Sequence, residues 1–281
     1  MRICDSVERM RKARVLMRPD RRVGLVPTMG ALHQGHLSLV RAAREQCESV
    51  VVSIFVNPLQ FGPNEDLAKY PRTLERDCEL LEREKVDILF TPSVDDMCPK
   101  NAVTLVAVEG MSEKLCGRSR PGHFRGVTTV VAKIFHIVEP ERAFFGQKDA
   151  AQCAIIRRMA RDLNFPVEIV VGPIVREPDG LAMSSRNAYL SPPERKSALV
   201  LYRALSEVKK RFDQGERNAD QLADSGQQVL SQEPEARLDY LEIVDPDTLD
   251  PVTEIQSETL VAVAALIGGT RLIDNIVLSP K

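Results

Sequence analysis

The stretch from Arg22 to Val40, RVGLVPTMGALHQGHLSLV, constrains the fold of this chain more than any other. It reads as strand, tight turn and helix. Val23 to Val26 is a short apolar run with β-branched residues, and Pro27 stops it. Thr28-Met29-Gly30-Ala31 is turn chemistry, and a helix opens near Gln34 or Gly35 with Leu37, Leu39 and Val40 toward a core. His33 and His36 are three apart, so both imidazoles lie over the first helical turn. Unpaired N–H groups and the positive dipole end attract phosphate there. Gly30 and Gly35 lack a Cβ, which lets a flat ligand such as a purine approach the backbone. Two imidazoles in this position suit chemistry on a nucleoside triphosphate, each donating to phosphoryl oxygens as charge develops. An isolated H-x-G-H is equally compatible with a helix cap beside a surface histidine. The preceding strand and a second phosphate motif downstream favour chemistry.

The remainder alternates strand and helix in a way that predicts a parallel sheet. Asp5 to Met17 has a helical pattern. Ser49 to Val56 is nearly all apolar, as in a central parallel strand buried on both faces. It runs into Asn57-Pro58-Leu59-Gln60, and polar side chains just past the carboxyl end of such a strand occupy the ligand crevice of an open α/β sheet. Asn57 and Gln60 are therefore binding candidates, Asn57 being also a common turn residue. Thr73 to Lys85 is a charged amphipathic helix. Asp77 on it is expected to be a solvated acid, with a supporting role near magnesium as the other reading. Val86 to Phe90 and Val103 to Val108 read as strands, and Leu115 to Gly126, rich in glycine and basic residues, as a lid, an anion contact or a solvated connector. Val127 to Val138 is an apolar helix whose His136 is a packed or surface residue.

Arg142 to Phe145 is a further strand, followed by Gly146-Gln147-Lys148-Asp149 and a helix from about Ala150. This repeats the opening logic of strand end, glycine, basic residue and helix start, and a lysine there can reach phosphate as a point charge. Gln152, one turn into that helix, is placed on the same crevice. Val167 to Val171 ends the α/β pattern. Met183-Ser184-Ser185-Arg186 offers two hydroxyls and a guanidinium as a phosphate clamp. From Pro192 two helices are expected to about Gln232, then strands at Leu238 to Val244, Thr259 to Leu266 and Leu272 to Leu278. The organisation expected is a doubly wound, Rossmann-like parallel α/β domain over residues 1–174 and a smaller α+β domain over 175–281, roughly a hundred residues.

Composition bounds the function. The net charge of −2 and the absence of a basic block argue against nucleic acid as a partner. Six cysteines are scattered without a C-x-x-C pair, which suits packed, reduced thiols in a reducing cytoplasm. Residues 1–20 lack the apolar segment of a signal peptide, and no run reaches membrane-spanning length.

Taken together, seven segments closely resemble the pantoate–β-alanine ligase (pantothenate synthetase) family of the nucleotidyltransferase superfamily. They are Val26 to His36, Ser53 to Phe61, Tyr70 to Thr73, Arg120 to Gly126, Phe145 to Asp149, Gly180 to Asn187 and Arg271 to Asn275. They follow the family order over nearly the whole chain. The superfamily's signature histidines fall on His33 and His36. The Ser-Ser-Arg stretch resembles the Lys-Met-Ser-Lys-Ser signature of class I aminoacyl-tRNA synthetases, with Ala182 in place of the leading lysine. That leaves Lys148 and Arg186 as the phosphate cations. Gln147 stands where the family commonly has glutamate.

The resemblance implies that ATP adenylates the carboxylate of (R)-pantoate, and that β-alanine then attacks the pantoyl adenylate to give pantothenate, AMP and pyrophosphate. It implies magnesium with ATP, on unspecified ligands, and a cytoplasmic homodimer. Carried over by position, ATP is lined by Met29, Gly30, Ala31, Leu32, His33, Gln34, Gly35, His36, Gly146, Gln147, Lys148, Asp149, Val175, Met183, Ser184, Ser185 and Arg186. Gln60 and Gln152 hold pantoate, Gln60 also lying near β-alanine, and His36 is the proton donor. Catalysis is expected from His33, His36, Lys148 and Arg186. Rival readings are another nucleotidyltransferase that forms no amide, and a non-catalytic nucleotide sensor on the same fold. A dinucleotide-dependent dehydrogenase would need a G-x-G-x-x-G fingerprint that the chain lacks.

Overall fold

In a computed structural model of the chain, residues 1–17, 22–63 and 65–280 are described. Residues 18–20, the end of the N-terminal stretch read above, lie outside the described residues. The chain divides into two compact units. The first comprises Met1–Ser112, Arg120–Gly146 and Ile155–Pro173; the second comprises Glu113–Ser119, Gln147–Ala154 and everything from Ile174 on.

The first unit is built from β1 (Arg2–Cys4), α1 (Val7–Val15), β2 (Val23–Thr28), α2 (Gln34–Gln46), β3 (Ser49–Ile54), α3 (Leu74–Arg83), β4 (Ile88–Phe90) and the short α4 (Val94–Met97). After α5 (Cys116–Ser119), which belongs to the second unit, follow α6 (His123–Val138), β5 (Arg142–Gly146), α7 (Ala150–Asp162), of which the part from Ile155 belongs to this unit, and β6 (Glu168–Gly172). The six strands form one parallel sheet in the order β1-β4-β3-β2-β5-β6. This is the doubly wound α/β arrangement expected, with β1 as an edge strand that its three residues were too few to announce. The order reverses at β2, which pairs with β3 on one side and β5 on the other. Loops at the carboxyl end of β2 therefore open into the crevice where ligands bind in such sheets. Val26, Val50 and Val52 are fully buried, and Leu37, Val40 and Leu81 from α2 and α3 pack in the same core. Each such side chain contributes about 1.5–3 kcal/mol of burial.

Two expectations fail here. Val103 to Val108 forms no strand, although its apolar alternation suggested one. The Val106 N–H donates to Thr129 Oγ1 at 2.9 Å, and its carbonyl accepts from Thr128 Oγ1 at 2.6 Å. Helix hydroxyls thus take the backbone groups that a neighbouring strand would have used. Leu115 to Gly126 is not a solvated connector, because α5 and the start of α6 occupy most of it and Leu115, Cys116 and Phe124 are buried. Helix α6 also runs against the 3-10 turn Pro58–Gln60. A Cβ on Gly126 would lie 2.1 Å from the Leu59 carbonyl oxygen and 2.7 Å from the Gln60 nitrogen, so only glycine permits this approach.

The second unit carries α8 (Pro192–Ser197), α9 (Leu199–Asp213), α10 (Ala219–Ser231), β7 (Ala236–Val244), β8 (Thr259–Ile267) and β9 (Thr270–Leu278). Three helices stand where two were read, because Ala198 ends α8 and opens α9 without a turn signal between them. The sheet is antiparallel in the order β7-β8-β9, with Gly268-Gly269 as the two-residue connection after Ile267 pairs with Thr270. Leu201 and Leu205 of α9 and Leu222 of α10 share a buried core with Leu241, Val261 and Val263 of the sheet.

Candidate functional site

In the first unit the chain must turn from β2 into α2 within five residues. It does so through two consecutive left-handed residues, Gly30 (φ +84°) and Ala31 (φ +49°). Glycine tolerates this conformation, whereas alanine is strained in it and needs a fixed partner. That partner is Asp77. Its Oδ2 accepts the Ala31 N–H at 2.8 Å, its Oδ1 accepts the Leu32 N–H at 2.9 Å, and Thr73 Oγ1 donates to Oδ1 at 3.1 Å. The side chain is fully buried, which corrects its reading as a solvated acid. The signal in the sequence was its place one helical turn before Leu81, on the apolar face of α3.

The turn delivers His33 and His36 to the start of α2 as a reciprocal cap. His33 Nδ1 accepts the Gly35 N–H at 3.1 Å, and His36 Nδ1 accepts the His33 N–H at 3.3 Å. The ring centroids are 4.1 Å apart. Because each Nδ1 is an acceptor, each neutral ring carries its proton on Nε2, and that edge is the donor.

Gln60 is brought to the same loop. Its Nε2 donates to Met29 Sδ at 3.0 Å, and its Oε1 accepts from Asn57 Nδ2 at 3.1 Å. Asn57 is buried and also donates to the Gly126 carbonyl at 3.0 Å, while its Oδ1 caps the turn through the Leu59 N–H. Its amide orients Gln60. The main-chain oxygen of Gln60 accepts from His123 Nδ1 at 2.8 Å and Arg120 Nη2 at 3.2 Å. Arg120 in turn makes a bidentate pair with Glu65. Burial raises the Glu65 carboxyl, but the Arg120 hydrogen bonds and charge outweigh it and hold the group below the usual carboxylate range. The stability from this pair is complete above that ordinary range and is lost as pH falls through the lowered value.

The second unit holds the other predicted set. Gly146 ends β5 in the first unit, and Gln147, Lys148 and Asp149 form a 3-10 turn leading into the helix that carries Gln152. Asn275 Nδ2 donates to the carbonyls of both Gln147 and Lys148, at 2.9 and 3.0 Å, and Gln147 Nε2 returns a bond to Asn275 Oδ1 at 3.1 Å. Asn275 is buried on β9 beside Asp274, which takes a bidentate contact from Arg176 at 2.6 and 2.9 Å. Burial raises the Asp274 carboxyl, and Arg176 opposes the shift. Lys148 lines a small cavity together with Ser184, Asn187 and Asp274. Ser184 Oγ accepts the Arg186 N–H at 3.3 Å, and the Met183 N–H bonds the Val175 carbonyl at 3.0 Å, so the clamp sequence is a folded turn. Asn275, Asp274 and Arg176 were not read as site residues. The signal for Asp274 and Asn275 was two adjacent polar residues within the apolar run Leu272 to Leu278.

Among the described residues no group of three or more His, Cys, Asp or Glu is arranged to hold a metal. No described helix is long and apolar enough to cross a membrane. All six cysteines are thiols outside any disulfide; Cys116 is buried with its Sγ 3.1 Å from Tyr240 Oη and beside the Arg271 guanidinium.

Comparison with known proteins gives one consistent result. The family model described as pantoate-beta-alanine ligase matches residues 2–277. A pantothenate synthetase of Koribacter versatilis is 61% identical over 279 residues, covering 99% of this chain and 96% of that protein. The crystal structure of pantothenate synthetase from Thermus thermophilus superposes with a TM-score of 0.95 at 50% identity, over 100% of both chains. That of a pantoate-beta-alanine ligase from Francisella tularensis, complexed with beta-gamma ATP and beta-alanine, superposes with a TM-score of 0.81 at 33% identity, covering 98% of this chain and 97% of that one.

The geometry around Asp77 makes a direct prediction. Asp77→Asn leaves one acceptor and turns an NH₂ toward a backbone N–H, so it is expected to cost about 1–3 kcal/mol. Hydrogen exchange at the Ala31 and Leu32 amides should quicken. Unchanged protection of both amides would show that the carboxylate does not hold this turn.

Proposed function

The chain belongs to the pantoate–β-alanine ligase family, and from that premise we propose how its own residues divide the family's reaction. It is an amide-forming ligase that condenses (R)-pantoate with β-alanine at the expense of ATP, through a pantoyl adenylate. The pantoate carboxylate attacks the α-phosphorus, the bond to the bridging oxygen breaks, and pyrophosphate leaves. The β-alanine amine then attacks the acyl carbon, and AMP leaves with one of the former carboxylate oxygens.

Both reactants of the first step are anionic, so their repulsion sets the barrier that binding groups must offset. In this reading Nε2–H of His33 and His36 donate to phosphate oxygens, His36 toward the leaving group, and Lys148 and Arg186 supply positive charge. The observation that carries it is the reciprocal cap, which fixes both imidazoles with their donor edges set by the backbone. Met29 to His36, Gly146 to Asp149, Val175 and Met183 to Arg186 are the proposed ATP contacts. Gln60 and Gln152 are the proposed pantoate ligands, with Asn57 holding Gln60. Neutral amides can bind hydroxyls and carboxylate without a charge pair that would blunt the nucleophile. The proposed domain roles are an ATP- and pantoate-binding catalytic domain over residues 1–174 and a lid over 175–281.

Magnesium is proposed to enter on the phosphates of ATP, where it neutralises charge. Asp77 is not offered to it, since both its oxygens are engaged by the Ala31 and Leu32 N–H groups and Thr73 Oγ1. A thioester route through Cys116 is disfavoured because that thiol is packed against Tyr240. A homodimer is proposed on the family resemblance alone. Six thiols outside any disulfide support the cytoplasm.

With ¹⁸O in the pantoate carboxylate, the label is expected in AMP, and labelled pyrophosphate should exchange into ATP only when pantoate is present. Cys116→Ser should keep both behaviours; unlabelled AMP would defeat the adenylate route. His33→Ala and His36→Ala should each slow this exchange by about 10²-fold or more. Lys148→Ala should raise the ATP requirement more than the pantoate requirement, and Gln60→Ala and Gln152→Ala the reverse. A Lys148→Ala enzyme altered only toward pantoate would show the division to be wrong. Light scattering should give twice the 31.3 kDa of one chain, and cell fractionation should find the protein in the cytoplasm; a monomeric mass or a membrane-bound pool would contradict these assignments.

A further inference from the structure

Gln60 is held at both ends: its side-chain amide meets Met29 Sδ and Asn57 Nδ2, and its main chain is gripped separately from behind. The carbonyl oxygen of Gln60 receives two donors, His123 Nδ1 at 2.8 Å and Arg120 Nη2 at 3.2 Å. Arg120 Nη1 lies 3.1 Å from His123 Nε2, and since a guanidinium only donates, that ring nitrogen is the acceptor. The proton of His123 is therefore on Nδ1, directed at Gln60. Glu65 fixes Arg120 through both carboxylate oxygens, at 2.7 and 2.5 Å. Both lone pairs of one half-buried turn carbonyl are thus filled by a three-residue assembly drawn from separate parts of the first unit. Nothing in that turn's own stability demands this, because Asn57 already caps it.

We propose that Arg120 and His123 are positioning residues for pantoate: by gripping the Gln60 main chain they aim its amide at the substrate. The inference rests on the reading that Gln60 binds pantoate. Side-chain aim follows from the peptide plane, since the amide is carried on a Cα whose carbonyl is fixed by two bonds. The two residues never touch substrate in this scheme. Their loss acts on pantoate affinity alone, leaving the nucleotide loop unchanged.

The test is pantoate-dependent pyrophosphate exchange on the full chain, without β-alanine. His123→Ala should raise the KM for pantoate about tenfold, the worth of roughly one hydrogen bond, with the KM for ATP within about twofold. His123→Asn keeps a donor near the Nδ1 position and should restore most of the affinity. Arg120→Lys should retain the charge beside Glu65, lose the fork, and raise the pantoate KM by a smaller factor. In a Gln60→Ala background, His123→Ala should add nothing further, because the group it aims is gone. An equal rise in both KM values, failure of His123→Asn to rescue, or a full additional factor in the Gln60→Ala background would each overturn the proposal. If His123→Ala does not fold, His123→Asn and Arg120→Lys carry the same comparison. A Gln60→Ala enzyme with unchanged pantoate KM would instead remove the substrate reading, and the positioning role with it.

Discussion

One buried carboxylate underlies the site of the first unit. Without Asp77, the left-handed step at Ala31 would lose its carboxylate contact, and the buried Leu32 N–H would lose its acceptor. With it, three donors offset the desolvation of the charge. The consequence reaches the chemistry, because α2 begins immediately after. His33 is its N-cap and His36 its third residue, so the aim of both rings is inherited from a helix start that Asp77 fixes. Gly30 belongs to the same arrangement: a Cβ there would meet Asp77 Oδ2 at 3.2 Å and Ile54 at 3.0 Å.

The same device recurs in both units. Besides the contacts at the side-chain tips, the protein grips the peptide groups behind them. Asp77 takes N–H groups ahead of the histidines. Asn275 takes the carbonyls of Gln147 and Lys148, and is itself backed by Asp274 and Arg176. Arg120 and His123 take the carbonyl of Gln60. Buried polar residues on strands and helix faces thus serve loops that are distant in sequence.

This explains which parts of the site were legible in the sequence. The strand–turn–helix from Val23 to Gln46, the parallel sheet and the three C-terminal strands follow from local periodicity and turn residues. His33, His36 and Lys148 were visible because glycine, a basic or imidazole group and a helix start adjoin one another. Asp77 was misread because the backbone N–H groups it holds lie more than forty residues away and its helix is rich in charged residues. The structure of Leu115 to Gly126 was not legible because partners of its basic residues lie elsewhere in the chain: Arg118 meets Glu242, and Arg120 meets Glu65. Val103 to Val108 has strand composition, but Thr128 and Thr129 satisfy Val106 instead. In each case the deciding contact is long-range, and composition carries no record of it. The passage of residues 113–119 and 147–154 into the second unit is of the same kind.

The cap at α2 also bears on which groups can supply charge. Both Nδ1 atoms accept backbone N–H groups, so a proton added there would set donor against donor and open the cap. The ring centroids lie 4.1 Å apart with the planes tilted by 36°, at a helix N-terminus, where the dipole already disfavours added positive charge. Two imidazolium ions side by side would repel each other as well. The arrangement therefore suits neutral imidazoles donating through Nε2, which is a directional role and not a source of net charge. A triphosphate needs net positive charge to be approached by a carboxylate. On the proposed division, that requirement falls on Lys148 and Arg186 and on the ion that ATP carries. The two kinds of group then perform different work: the histidines set where charge is accepted as the bridging oxygen departs, and the cations make the encounter of two anions possible.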